Sequence, residues 1–479
     1  MDERPLESLL QKRSNTGRVV ICTALIILCM IFPMYFDNRI YNKWYPSPSS
    51  VLDGPHLQPV TNFGTATSGK LFKGQKVNTF NEKLFKYKSY VPRQDATARQ
   101  KLLETMSAST RFKLLYNDSL SCEKWNVVTT IFDPSEAVIV QAQLAGWCTV
   151  VVGDRKGPLK YDFNGRSDTN FRFLSAQYQE ELGAYLPFIK MLPWNHFGRK
   201  NVGFIYAMLH GAKVVWDFDD DNILVNKAAP MPVPGKDLDV NVIENYDKTT
   251  FNPYPIMGAP TSPVWPRGFP LENIKWSSNT TALRVKKVAI KVEKIGILQS
   301  LANNDPDVDG IYRLIQPLPF SFPVTNKAGE KLLPFSTPKD AYAPYNAQAT
   351  LHMYCALWSL YLPVTVHGRV SDIWRGYIFQ RIAAPLGIEL LFTPPVVAQY
   401  RNVHNYLADF ESENPLYMRS MKLVEQLKEW RPRASTVPGM IEELWAFLYE
   451  RDYIGLSDVT LIQGWIDALL RVGYQFPLL

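Results

Sequence analysis

The sequence predicts an α/β fold, and three consecutive elements lead to that prediction. The stretch WNVVTTIFD, residues 125–133, is typical of a buried strand, and the DPSE segment that overlaps its end supplies a turn and a helix start. A second apolar strand, CTVVVGD, follows and ends at Asp154. A strand–helix–strand unit of this kind opens the nucleotide-binding, Rossmann-like class of α/β domains.

Length and charge narrow the range of functions. At 479 residues the chain can form one large or two modest domains. Its 52 basic and 45 acidic residues leave a net charge of +7, and no basic block is interleaved with aromatic residues, which disfavours a nucleic-acid partner. The G-x-G-x-x-G fingerprint is missing after the first predicted strand, which disfavours NAD or FAD.

The amino terminus predicts a membrane anchor. Residues 19–36 (VVICTALIILCMIFPMYF) carry no charge and, at about 1.5 Å per residue, form a helix of about 27 Å, which suits a thin, Golgi-like bilayer. A cleaved signal peptide is disfavoured because no small-x-small site follows. Lys12, Arg13 and Arg18 precede the span, so we expect a cytosolic tail (1–18), a lumenal body and type II topology.

The remaining regions are predicted from composition and from cysteine and sequon positions. Residues 37–120 are rich in Pro, Ser, Asn and Lys and are typical of a stem, whereas residues 401–479 predict amphipathic helices. Three cysteines fall in the presumed lumenal part, which permits at most one internal disulfide and requires none: Cys122, Cys148 and Cys355. Asn117 and Asn279 begin glycosylation sequons that a lumenal orientation would make usable.

The stretch GAKVVWDFDDDN, residues 211–222, is the strongest candidate for a functional site. An apolar strand ends here in four carboxylates: Asp217, Asp219, Asp220 and Asp221. Ligands of open α/β sheets bind beyond the carboxyl ends of strands, and clustered carboxylates suit a hard cation such as Mn²⁺ or Mg²⁺ that shares its coordination with substrate phosphates. The alternative for such a cluster is a solvated acidic loop.

Two basic residues stand at the start of the preceding helix, which covers about residues 198–210. The helix dipole disfavours cations at that end, so Arg199 and Lys200 indicate an anionic partner, with a plain solvated basic pair as the alternative. The proline-dense segment 251–274 contains Arg267 and is too long for an ordinary connection. Long irregular segments of this kind are usually functional when they are ordered.

Several blocks of the chain resemble a known family. In order they read GRKNVGFIYAMLHGAKVVWDFDDDN, NPYPIMGAPTSPVWPRGFPLENI, DPDVDGIY and SDIWRGYIFQR. Their layout resembles that of GT-A glycosyltransferases, and the blocks themselves are closer to the STELLO family of Golgi type II glycosyltransferase-like proteins. The resemblance runs from about Trp125 to the carboxyl end. It implies a GT-A-like catalytic domain over residues 121–400.

The resemblance also implies roles for individual residues. Asp217 and Asp219 fit the D-x-D register, in which the first acid contacts the sugar nucleotide or the metal and the last binds the metal; Asp221 is an alternative ligand. Asp372 occupies the position of a general base, although Ser371 stands where an acid is usual, so Asp307 and Asp309 are rivals. Arg375 and Arg381 share the helix of Asp372 and could face the donor diphosphate, and Arg267 is a candidate for a donor-binding or a packing role. With Arg199, Lys200 and Asp217 they complete the predicted donor-binding set.

The resulting hypothesis is metal-dependent transfer of a sugar from a nucleotide-sugar donor to a glycan, lipid or protein acceptor in the Golgi lumen, by inversion or retention. The alternative is a catalytically weak scaffold that binds and regulates a membrane glycan synthase of the cellulose type, or that forms a homo-oligomer. An aspartyl phosphatase is disfavoured because Asp221 stands where that motif has Thr or Val.

Overall fold

The structure is a computed structural model that describes residues 120–162, 170–225, 236–326, 328–401 and 405–479. The predicted cytosolic tail, membrane anchor, nearly all of the stem and the Asn117 sequon lie outside these residues. Within them, none of the helices combines the length and the apolar character needed to cross a bilayer.

One large mixed sheet organises the described part of the chain, which confirms the predicted α/β class. Its strands are β1 (Lys124–Thr129), β2 (Cys148–Val152), β3 (Phe171–Leu174), β4 (Val214–Phe218), β5 (Asn222–Leu224), β6 (Asp237–Ile243), β7 (Val285–Lys291), β8 (Ile295–Asn304), β9 (Phe335–Ser336), β10 (Ala349–Met353) and β11 (Glu389–Gln399). The strand order is β3-β2-β1-β4-β10-β8-β11-β9-β6-β7, and β5 pairs with β11 outside this path.

The first four strands of the sheet order are parallel, and they set the position of the site. The chain builds outward from β1 to β2 and β3 and then returns to place β4 on the other side of β1. Such a reversal of strand order leaves a crevice at the carboxyl ends of the two central strands. β10 runs antiparallel to both β4 and β8, and β11 is parallel to β8. The carboxyl ends of β4, β8 and β11 therefore lie at the same end of the sheet.

Helices cover the sheet and continue beyond it. They are α1 (Glu136–Ala142), α2 (Ala176–Tyr185), α3 (Pro187–Met191), α4 (Lys200–Leu209), α5 (Pro253–Ile256), α6 (Ile274–Ser277), α7 (Gly310–Ile315), α8 (Gly368–Ala383), α9 (Tyr406–Ser412), α10 (Asn414–Glu429), α11 (Val437–Tyr449) and α12 (Leu456–Arg471). Short 3₁₀ turns occupy Phe197–Arg199, Leu271–Asn273, Val292–Lys294, Tyr354–Leu360 and Ala384–Leu386.

Helix α4 is buried along its whole length because it packs closely on β1 and β2. A Cβ atom on Gly203 would lie 2.7 Å from a methyl group of Val152 and 2.8 Å from one of Val127. Glycine is therefore needed there to let the helix backbone approach the sheet. Close packing in turn fixes Lys200, at the first turn of α4, near the end of β4.

A disulfide joins Cys122 to Cys148, with their Cα atoms 6.0 Å apart, and Cys355 is free. The bridge links the segment before β1 to the start of β2, so it pins two neighbouring strands of the parallel half of the sheet. The sequence permitted one such bridge without identifying its members.

The carboxyl-terminal helices share the core of the sheet domain. Trp465 of α12 is fully buried and donates a hydrogen bond from Nε1 to the carbonyl of Trp358 at 2.9 Å. The ring of Tyr361 lies 5.0 Å from that of Trp445 in α11 and also packs on Trp465. Asp458 accepts bonds from the Tyr361 hydroxyl and from two backbone amides that follow it. Helices α11 and α12 are thus an integral part of the fold.

We expect Trp465→Ala to destabilise the whole described domain. Removing a buried tryptophan typically costs about 3–5 kcal/mol of unfolding free energy. The loss should appear in one cooperative transition when unfolding is followed by tryptophan fluorescence and by far-ultraviolet circular dichroism. The matched control is Leu456→Ala on the same helix, where the side chain is 43% exposed and the cost should be small. Separate transitions for helices and sheet would contradict the shared core.

Candidate nucleotide-sugar site

An acidic turn, residues 219–221, lies at the crevice where the strand order reverses. It follows β4 directly, and Thr130, just after β1, bonds the carboxylate of Asp220 through its hydroxyl. Ser135, at the start of α1, donates a hydrogen bond to the carbonyl of Asp220. The turn is therefore fixed to the carboxyl ends of both central strands, where α/β sheets bind ligands.

Asp217 lies apart from the acidic turn and is engaged inside the fold. Its side chain is fully buried, and its two oxygens lie 2.6 Å from Lys200 Nζ and 2.9 Å from Arg375 Nη2. The carboxylate thus compensates two buried cations. Arg375 also contacts the carbonyl of Leu360.

His352 completes this buried cluster. Its Nε2 lies 3.9 Å from Asp217 Oδ2, and the side chain is fully buried on β10. Burial, together with the charges of Arg375 and Lys200, lowers the pKa of His352 well below its usual value. The imidazole is therefore neutral, and the two cations of the cluster are balanced by carboxylates alone.

Lys200 bridges the buried cluster and the acidic turn. Its ammonium group lies 2.6 Å from Asp217, 3.3 Å from Asp219 and 2.7 Å from the carbonyl of Phe218. It also donates to the carbonyl of Ala347 at 3.3 Å. A side chain with this many partners and no exposure orders the turn, so Lys200 is not the solvated cation that was the alternative to an anionic partner.

Two other predicted donor-binding arginines, Arg199 and Arg381, form hydrogen bonds away from the acidic turn. Arg199 is buried, bonds Gln179 and the carbonyls of Ile189 and Leu192, and stacks on Trp194 at 3.8 Å. These contacts join Arg199 to α2 and to the end of α3.

Arg381, the second of these, donates to the carbonyl of Trp430 and lies over its ring, so it joins α8 to the carboxyl-terminal region. Among the described residues, these contacts lie away from the acidic turn.

The open acids of the turn are Asp219 and Asp221. The side chain of Asp219 is 36% exposed. Its partial burial and the neighbouring carboxylates raise its pKa to about 7, against the opposing effect of Lys200. Asp221 accepts hydrogen bonds from Gln399 Nε2 and Asn222 Nδ2 at 2.9 and 2.8 Å. The two carboxylates are thus held in place at the mouth of the crevice.

Two open carboxylates fit an Mn²⁺ or Mg²⁺ ion that is completed by substrate phosphates. Among the described residues, no three or more His, Cys, Asp or Glu side chains are grouped as a ready-made metal cage. Mg²⁺ in phosphate-handling sites, however, is usually held by only one or two carboxylates together with water and phosphate oxygens. The donor set of Asp219 and Asp221 is of that kind.

A second cluster of charges joins residues that the sequence placed in separate roles. Arg267 bonds Asp307 through Nε and Nη2 at 2.8 and 3.0 Å, and Asp372 through Nη2 and Nη1 at 2.9 and 3.1 Å. Burial alone would raise the pKa of Asp307, but Arg267 lowers it to about 2. Arg267 is therefore paired with two carboxylates inside the fold.

The same pairing engages Asp372, the predicted general base. Its carboxylate is buried and accepts bonds from Arg267 and from the backbone amides of Ala347 and Ile373. Asp309, another rival, caps α7 by accepting from Tyr312 N and also bonds Trp265.

One loop, residues 346–348, connects the two charge clusters. Asn346 Nδ2 donates to Asp307 at 2.6 Å, while Gln348 accepts from the backbone of Asp219 and bonds Gln399, the partner of Asp221. Sequence reasoning missed these amide residues because no charge or spacing marks them. Their position just before β10, beside the end of β4, is what brings them into the site.

Comparisons with known proteins bear on the family of the chain. The family model described as STELLO glycosyltransferases matches residues 369–479. The chain is 31% identical over 372 residues to "Probable glycosyltransferase STELLO2" of Arabidopsis thaliana, which covers 75% of this chain and 46% of that protein. It is 28% identical over 374 residues to "Probable glycosyltransferase STELLO1", which covers 74% and 45%.

The chain belongs to the STELLO family. This confirms the family that the sequence blocks indicated. The chain spans about half the length of the two STELLO relatives it matches. The matched segment of the family model begins at Arg369 and so contains Asp372 and Arg375, which pair with Arg267 and Asp217 outside it.

We expect Asp217→Asn to destabilise the protein much more than Asp219→Asn. Asp217→Asn leaves Lys200 and Arg375 without their buried counter-charge, and breaking such a pair costs about 3–5 kcal/mol. Asp219→Asn should cost less than about 1 kcal/mol because its carboxylate is partly solvated. Chemical denaturation of both variants in metal-free buffer measures the difference. Equal destabilisation would contradict the separation of a buried and an open acid.

Proposed function

We propose that this STELLO-family protein is a metal-dependent glycosyltransferase that moves a sugar from a nucleotide-sugar donor to a hydroxyl of a glycan, lipid or protein acceptor. The observation that carries the proposal is the acidic turn: Asp219 and Asp221 remain open at the crevice between β1 and β4, while Asp217 is neutralised internally. Family membership supports the transferase class. The nucleotide sugar would place its diphosphate at the turn.

Asp219 and Asp221 would hold Mn²⁺ or Mg²⁺ against the donor diphosphate, where the cation offsets the charge that develops on the departing phosphate. The protein's own contribution is to hold the two carboxylates in place. Lys200 contacts Asp219 from inside the fold, and Gln399 donates a hydrogen bond of 2.9 Å to Asp221. Because both carboxylates are positioned beforehand, the donor meets a site that needs little rearrangement.

We assign positioning, not proton abstraction, to Asp372. It holds Arg267 and the amide of Ala347, and the same loop leads to Gln348 beside Asp219. Asp372 thus supports the loop that contacts Asp219. Transfer with retention of anomeric configuration would need no separate general base, whereas an inverting reaction would need a base other than this buried carboxylate.

The proposed location is the Golgi membrane, with a single span over residues 19–36 and the catalytic part in the lumen. The uncharged run and the basic residues before it support this topology. The disulfide between Cys122 and Cys148 also supports it, because such bridges persist in oxidising compartments and are rare in the cytosol. Mn²⁺ is the natural ion for this compartment, and Mg²⁺ suits the same ligands.

Donor hydrolysis tests the proposed activity. The full chain should hydrolyse at least one nucleotide sugar in the presence of Mn²⁺, and chelation should abolish the reaction. We expect Asp219→Asn and Asp221→Asn to lower the rate about 100-fold or more, equivalent to at least about 2.7 kcal/mol of lost charge stabilisation. Asp247→Asn is the matched control, since Asp247 is 78% exposed and pairs only with its neighbour Lys248. Unchanged hydrolysis in the turn variants would refute the assignment.

Asp372→Asn separates positioning from general-base catalysis. If Asp372 is a positioning residue, the substitution should act mainly on stability. The variant removes one of the two carboxylates that pair with Arg267, so the melting temperature should fall. The metal-dependent rate should fall less than in Asp219→Asn. A general base would give the reverse pattern, a rate loss of about 10²–10⁴-fold at unchanged stability. Melting temperature and hydrolysis rate are measured on the same preparation.

The alternative function is a scaffold that binds and regulates a membrane glycan synthase complex. The observation that favours it is internal pairing: Asp217, Asp372 and Arg267, expected to contact substrate, instead contact each other or buried partners. A scaffold predicts no hydrolysis of any nucleotide sugar and no thermal stabilisation by Mn²⁺ with nucleoside diphosphate. The enzyme predicts both, so these two measurements on the full chain distinguish the functions.

A further inference from the structure

The ribbon formed by β6 and β7 ends the sheet with an open edge. Among the described strands, β7 pairs with β6 alone, over seven residue pairs, and β6 meets the rest of the sheet through one pair, Asn241 with Phe335. Strand β7 is exposed along most of its length, including Val285, which is 48% exposed. An edge of this kind offers unpaired backbone groups to another chain unless something covers it.

A sequon lies directly before this edge strand. Asn279, Thr280 and Thr281 are followed by Ala282, so no proline interrupts the N-x-T pattern. Asn279 and Thr281 are both exposed. The segment is held at the end of the ribbon, because Asn245, just after β6, donates to the carbonyl of Ala282 at 2.9 Å and accepts from the amide of Arg284 at 2.8 Å.

The local geometry presents the Asn279 amide nitrogen for modification. Its Oδ1 accepts two hydrogen bonds from Thr281, one from the backbone amide at 3.1 Å and one from the hydroxyl at 2.7 Å. Asn279 Nδ2, by contrast, has no hydrogen-bond partner among the described residues. The turn is anchored on both sides, by the amide of Asn279 on the carbonyl of Trp276 and by Leu283 against the core.

We propose that Asn279 carries an N-linked glycan that covers the open edge of the β6–β7 ribbon. The glycan comes from a lipid-linked oligosaccharyl diphosphate: the bond between sugar C1 and diphosphate oxygen breaks, the bond between C1 and Asn279 Nδ2 forms, Nδ2 loses one proton, and the lipid diphosphate leaves. No oxidation or reduction is involved. The inference rests on the proposed lumenal orientation and is independent of catalysis at the acidic turn.

The covering role follows from the place of the turn. Strand β7 starts six residues after Asn279, at the end of the ribbon to which Asn245 ties the turn. Lys286, Lys287 and Lys291 already give this strand the charged side chains that discourage edge-to-edge pairing. A bulky hydrated glycan at the start of the strand adds steric exclusion to that charge, where Val285 leaves an apolar position exposed.

Translation of the full chain with microsomes tests the modification. In an Asn117→Gln background, which removes the other sequon at the stem, the product should show a mobility shift of one glycan that a glycan-releasing amidase reverses. Asn279→Gln and Thr281→Ala should abolish the shift, and Thr281→Ser should keep it. A protease-protected product without the shift overturns the inference and leaves the lumenal orientation standing. An unprotected, unshifted product overturns both.

Self-association tests the covering role. Purified Asn279→Gln protein should show a higher self-associated fraction by light scattering than the glycosylated form, and enzymatic removal of the glycan should raise it equally. Thr281→Ser, which keeps the sequon, is the matched control. A glycan that is present but whose removal leaves association unchanged overturns the covering role.

Discussion

The buried ammonium group of Lys200 is the constraint on which the site depends. It lies 2.6 Å from Asp217 and 3.3 Å from Asp219, with Arg375 on the other oxygen of Asp217. Removing one partner from a buried ion pair costs several kcal/mol, so the pairing keeps Asp217 inside the fold. Asp219 and Asp221, which follow Asp217, lie at the crevice. Lys200 is already paired with Asp217, so it compensates only part of their negative charge. Electrostatics inside the fold thus decides which acids are open to a cation.

The sequence predicted the strand and the acid cluster but not how the acids divide. Apolar runs and their bounds identify strands, and β4 lies where such a run was expected. Within a strand, alternate side chains face opposite sides. Trp216 and Phe218 pack in one core cluster and Val215 in the other, so Asp217 faces the side of Val215, where α4 and α8 supply Lys200 and Arg375. Which helix covers which face is a long-range property that local pattern does not contain.

Local pattern likewise does not show which residues pair with Arg267. Its partners Asp307 and Asp372 are 40 and 105 residues away in the chain. Each of the three has the chemistry of a catalytic or donor-binding residue when considered alone, and only their pairing turns them into a structural clamp. The amides of Asn346 and Gln348 show the converse, since residues without a chemical signature gain a role from the loop that carries them between two clusters.

Helix α8 links both clusters, and the carboxyl-terminal region holds that helix in place. Asp372 and Arg375 are three residues apart, hence on one face of α8, and they reach Arg267 and Asp217 respectively. The helix is held from elsewhere by three contacts: Arg369 with Glu413, Trp374 with Tyr453, and Arg381 with Trp430. Helices α9 to α12 therefore act on the site indirectly. By fixing α8 they fix Arg375, whose charge pairs with the buried Asp217. Lys200, on the other oxygen of Asp217, contacts Asp219 and leaves its carboxylate partly exposed.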